Sequence, residues 1–151
     1  MQNKQRPKCP DHFNTDFGRS LVDYLGGDSS KIKDRDCWPR FAVVFPELRE
    51  AAMKYFAEVK TGEPSAAIYY MVKYCEAPLD WGMRVIANMK VGNPSLAVYY
   101  MVSDCRAPLE WGMKVIENTT TGDPSWAAYL MVKYCGAPRE WYEKIRKKHD
   151  I

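Results

Sequence analysis

Tyrosine is the residue type whose spacing in this chain is most suggestive of chemistry. Tyr69, Tyr99 and Tyr129 recur every 30 residues, as do Tyr70 and Tyr100, and Tyr74 and Tyr134 share one register with Asp104 between them. Lys73 and Lys133 accompany them. A phenol offers a flat apolar ring and one hydroxyl donor, which permits three uses. It can pack between elements with its hydroxyl at the rim. It can grip another protein as rigid contact area. It can stack nucleic-acid bases. The third use depends on neutralising phosphates, and residues 59–118 carry six Lys/Arg against six Asp/Glu. The candidate partner-binding set is therefore Tyr69, Tyr70, Lys73, Tyr99, Tyr100, Asp104, Tyr129 and Lys133, and the expected partner is a protein.

Other chemistry is sparse. Cys9-Pro10-Asp11-His12 has the spacing of half a zinc site, to which Cys37 would add a third ligand. A structural zinc site takes four ligands, usually from two pairs, and the second pair is missing, so no metal is expected. The two histidines, His12 and His149, stand near opposite ends. Phosphate-binding loops, nucleophile elbows and paired metal-binding histidines are absent from the sequence. Asp80, Glu110 and Glu140 fall in first turns of helices, where the helix dipole accounts for acidic residues. The expectation is a non-enzymatic chain without a cofactor.

The elements that carry the tyrosines follow from a 30-residue repeat. Gly62-Glu63-Pro64-Ser65 recurs as Gly92-Asn93-Pro94-Ser95 and Gly122-Asp123-Pro124-Ser125. Cys75, Cys105 and Cys135 hold one place, Trp81, Trp111 and Trp141 another. A fixed period of this length signals a stacked array. Asn or Asp before Pro caps and opens a helix, with Glu63 a poorer cap, and the preceding glycine closes the previous helix. Helix A of each unit should run from about Pro64 to Cys75. Helix B should open at Pro78 and run to about Asn88. Ala67, Met71 and Cys75 form one apolar stripe with Ile68 and Val72 beside it. On helix B, Gly82, Ile86 and Met89 become Tyr142, Arg146 and His149 in the third unit. That face should meet the next unit, and terminal units need it polar. Gly82 and Gly112 should admit a neighbouring helix at close range.

Upstream, Phe17–Leu25 reads as a short helix stopped by Gly26-Gly27, residues 28–36 as a loop, and residues 46–62 as a degenerate unit. Residues 1–58 would form an irregular N-terminal cap and residues 59–151 the three repeats, all in one folded domain. No apolar run approaches the roughly 20 residues of a membrane span. The N-terminal residues lack the apolar core of a secretory signal. The three repeat cysteines, one unit apart, are too distant to pair and read as buried, reduced thiols. Together these features predict a cytoplasmic chain, monomeric or weakly self-associating. Net charge is +3, concentrated at Lys144, Arg146, Lys147 and Lys148. A basic helix end complements the helix dipole; with the tyrosines, it is also the alternative nucleic-acid surface.

The pattern G-[END]-P-S-x-A-x-Y-[YL]-M-V followed by C-x-A-P-x-[DE]-W resembles the short helical repeats of uncharacterised bacterial and phage proteins, with Gly122-Asp123-Pro124, Tyr129 and Gly136-Ala137-Pro138 the nearest match. The resemblance covers about residues 59–149. It implies an all-α fold, an α-solenoid of stacked helix-turn-helix repeats with three clear units and a degenerate N-terminal one. It also implies an interaction role, such as a phage protein acting on a host protein.

Overall fold

The computed structural model describes residues 15–149. Cys9 and His12 lie outside them. The described chain is all-α, with nine α-helices and two short 3₁₀ turns. Helices α1 (Thr15–Tyr24), α2 (Trp38–Val44) and α3 (Arg49–Glu58) precede the repeats. The A helices are α4 (Pro64–Tyr74), α6 (Pro94–Cys105) and α8 (Pro124–Cys135). The B helices are α5 (Leu79–Ala87), α7 (Leu109–Asn118) and α9 (Arg139–His149). Each B helix starts one residue later than the sequence suggests. Pro78 and Pro108 adopt extended backbone (ψ 136° and 137°) and stand as caps ahead of the first helical residue.

Packing follows the repeat. Helix α4 lies against α6 and α6 against α8, while each A helix also contacts the B helix of its own unit. Helices α5 and α7 touch the following A helices, α6 and α8. The stripe read from the sequence is the dry centre. Ile68, Met71, Val98, Met101, Ala127, Ala128 and Met131 are all fully buried. Burial of an aliphatic or methionine side chain contributes about 1.5–3 kcal/mol, so this stripe is the main adhesive between units. Helices α2 and α3 cover the first side of α4. There Trp38 packs on Phe56 and Tyr70 at ring distances of 6.0 and 5.8 Å, and the Cys75 thiol donates to the Trp38 carbonyl oxygen at 3.4 Å.

Close approach requires the glycines of the B helices. A Cβ on Gly82 would come within 2.7 Å of Val72 Cγ2 and 3.0 Å of Met101 Cε. One on Gly112 would come within 2.8 Å of Val102 Cγ2 and 2.9 Å of Met131 Cε. In both cases one neighbour belongs to the same unit and the other to the next. On the equivalent face of α9, Tyr142 and His149 are half-buried and Arg146 is exposed.

The helix caps depart from the sequence reading. Asp123 does cap α8, accepting from Trp126 N at 3.1 Å. The Asn93 side chain instead accepts from Asp123 N at 3.1 Å, one unit on. Glu63 likewise accepts from Asn93 N, at 2.9 Å to each carboxylate oxygen. Both side chains thus accept from the backbone N–H of the next unit, and Glu63 also accepts from Ser65 Oγ of its own helix. Gly122 (φ +81°) belongs to this join, since a Cβ there would strike Asn93.

Cys75, Cys105 and Cys135 are free thiols. Only Cys75 is fully buried, the other two being half-buried, because α2 and α3 cover the first unit's edge alone. Burial pushes the Cys75 thiol up to about 12 and the Cys105 thiol up to about 11. Cys37 is disulfide-bonded and so offers no thiolate to a metal. No helix among the described residues is long and apolar enough to cross a membrane.

Two substitutions test this packing. Alanine is the better helix former by about 1 kcal/mol, yet overpacking costs about 1–3 kcal/mol, so Gly112→Ala should lower unfolding stability by about 1 kcal/mol in urea titration. Arg106 holds the left-handed position after α6 (φ 65°), where the third unit has Gly136 (φ 81°). Arg106→Gly removes a steric cost of about 1–2 kcal/mol against an entropic cost of about 0.5–1 kcal/mol, and should raise the midpoint.

Candidate interaction surface

The candidate residues occupy one face of the A helices, on the side away from the buried stripe. Its centre is the join between α4 and α6. Tyr69 Oη donates to Asp104 Oδ2 at 2.6 Å. Lys73 Nζ reaches the same oxygen at 3.3 Å. Ser103 Oγ donates to Asp104 Oδ1 at 2.9 Å. Asp104, on α6, therefore serves a tyrosine and a lysine of the preceding unit. Burial would raise the Asp104 carboxyl, but the hydrogen bonds from Tyr69, Ser103 and Lys73 outweigh it and hold the group below the usual carboxylate range. Desolvation works against the Lys73 ammonium, yet its hydrogen bond and charge contact with Asp104 leave it raised. Burial, then Asp104, raises Tyr69.

From this centre the aromatic rings form a continuous run. Trp38 meets Tyr70 at 5.8 Å, Tyr70 meets Tyr69 at 5.2 Å, and Tyr69 stacks on Tyr100 at 5.3 Å. Tyr100 meets Tyr99 at 5.1 Å, and Tyr99 meets Tyr134 of the next unit at 6.4 Å. Lys133 then bridges Tyr134 and Tyr129, its ammonium 5.4 and 5.9 Å from their ring centres. Tyr129 stacks on Trp126 at 5.5 Å and meets Tyr142 of α9 edge-on at 6.1 Å.

Cavities open along the run. One of about 420 Å³ lies between the N-terminal helices and α4, floored by Trp38, Phe56 and Tyr70. One of about 590 Å³ lies between α4 and α6, lined by Tyr69, Tyr70, Lys73, Tyr100 and Asp104. One of about 520 Å³ lies on the third unit, lined by Trp126, Tyr129, Lys133, Tyr134 and Tyr142. The first two share Glu63, Ala66 and Tyr70. Together they offer apolar walls edged by hydroxyls and a few charges.

All eight candidates are on this face, but their roles differ. Tyr69 is 6% exposed, whereas Tyr100 and Tyr129 are each 38% exposed; Tyr70 and Tyr99 are half-buried. Tyr69 therefore belongs to the packing between units, while Tyr100 and Tyr129 present surface. Trp126 (50% exposed) and Tyr134 (60% exposed) belong to the presenting group and are absent from the sequence-derived set. Trp126 was visible as the one aromatic in a place held by Ala66 and Leu96. No group of three or more His, Cys, Asp or Glu able to hold a metal occurs among the described residues.

The depressed Asp104 carboxyl gives a pH signature. A group whose pKa is lower folded than unfolded stabilises above its unfolded value, near 3.8, and that contribution is lost as pH falls through the folded value. Asp104→Ala should cost on the order of 1 kcal/mol at neutral pH, because the site is partly exposed. Thermal melts of both proteins should converge as pH falls below about 4. No protein-family model, curated protein or solved structure matches this chain, so its function is read from its own residues.

Proposed function

We propose that the chain is a non-enzymatic protein–protein interaction module. Its helix pairs stack as an α-solenoid capped by the helices of residues 15–58, right-handed by analogy with other helical arrays, and it binds a protein partner along the tyrosine face of the A helices. The observation that carries this reading is the exposure of Tyr100, Trp126, Tyr129 and Tyr134 along one aromatic run. Scattered surface aromatics need no explanation, but a contiguous group rimmed by polar residues marks a contact surface. Tyrosine and tryptophan dominate binding energy at such surfaces. Nucleic-acid binding has less support, because Lys73, one of the two lysines on this face, is already neutralised by Asp104 at 3.3 Å.

The test is affinity purification of the tagged full chain from its native cells with nuclease treatment, followed by mass spectrometry. A stoichiometric protein should remain bound and should be lost on Tyr100→Ala with Tyr129→Ala, while the thermal midpoint stays near that of the parent. Retention by the double variant would refute the assigned surface. Bound material that vanishes with nuclease would refute the protein-binding reading itself.

A further inference from the structure

Helices α4 and α6 contain a template for a binding event on α8. At the first join, a tyrosine hydroxyl and a lysine ammonium converge on one oxygen of Asp104, at 2.6 and 3.3 Å. Tyr129 and Lys133 stand 60 residues on from Tyr69 and Lys73, in the same repeat positions. The middle unit lacks the pair, having Ser103 at the lysine place. Among the described residues no carboxylate meets Lys133 or the Tyr129 hydroxyl. Instead the Lys133 ammonium rests over the rings of Tyr129 and Tyr134, at the edge of the 520 Å³ cavity walled by Trp126 and Tyr142. Both donors of the acid-binding pair are thus present without a carboxylate, the ammonium meeting the Tyr134 and Tyr129 side chains in its place.

We propose that this cavity receives a carboxylate side chain from an acidic segment of a protein partner. The partner's Asp or Glu takes, at Tyr129 and Lys133, the place that Asp104 takes at Tyr69 and Lys73. Charge favours it. Residues 119–151 carry six Lys/Arg against four Asp/Glu, whereas residues 59–118 balance. The stacked Trp126 and Tyr129 rings give the wall for an apolar residue beside the acid. Holding the ammonium over two rings orders it before the acid arrives, which reduces the cost of binding. The inference deepens the proposed function and rests on it.

A random 12-residue peptide library displayed on phage, panned against the full chain, tests it. Enriched peptides should share an Asp or Glu, and changing that acid to its amide should weaken binding about tenfold, the scale of a lost charged hydrogen bond. Lys133→Met and Tyr129→Phe should each cause a comparable loss, and the amide peptide should lose little more on Lys133→Met. Lys133→Glu should redirect enrichment toward Lys or Arg, a reversal that a merely structural role would not produce. Peptides that bind the tyrosine face but tolerate the acid-to-amide change overturn the carboxylate site and leave the interaction reading standing. Failure to enrich any peptide counts against both.

Discussion

The dry contact between successive A helices is the constraint on which the rest of the structure depends. Ile68 and Met71, Val98 and Met101, Ala128 and Met131 have no exposure at all. Interiors this dense respond to a single added methylene, and the B helices meet the demand by having glycine where α5 and α7 press on Val72 and Val102. With that spacing set, the opposite side of each A helix must present its residues in rows. The tyrosine run is thus a product of the packing, and the same closeness buries Tyr69 beneath Tyr100 and Asp104.

A second row of polar joins runs along the N-termini of the A helices. Glu63 accepts from Asn93 N, Asn93 from Asp123 N, and Asp123 from its own helix at Trp126 N. One repeat position does two jobs, and the neighbour decides which. Where a following unit supplies a backbone N–H, the side chain joins units; in the third unit it caps its own helix. Thr121 reinforces the second join, donating to the Gly92 carbonyl at 3.0 Å. At the far side, Glu117 of α7 accepts from Trp141 Nε1 at 2.9 Å and, through its carbonyl, from Lys148 at 2.7 Å.

Periodicity made the helices, the buried stripe and the close approach at Gly82 and Gly112 legible before any coordinates, because each depends on residue type at fixed spacing. The placement of the eight candidate residues on one face followed from the same spacing. Depth did not. How far Tyr69, Tyr99 and Tyr129 stand from solvent depends on what the next helix lays over them, and that is Tyr100 and Asp104 in one case and nothing equivalent in the last. The cap roles of Glu63 and Asn93 escaped for a similar reason, since an Asn before Pro reads as a local cap unless the adjoining backbone is known. The disulfide at Cys37 had no local signal.

Asp104 has a consequence for how the chain avoids folding wrongly. Near-identical units can mispair, and misassembly between like segments is a characteristic failure of repeat proteins. Were α4 to settle against α8 instead of α6, Tyr69 and Lys73 would meet Tyr134, which stands in the Asp104 register, and the lysine would lose its counter-charge. A polar contact that only one pairing can satisfy adds little net stability but separates the right neighbour from the wrong one. The single acid among the tyrosines thus acts as a key to the order of the units, distinguishing three helices that their apolar stripes alone would leave nearly interchangeable.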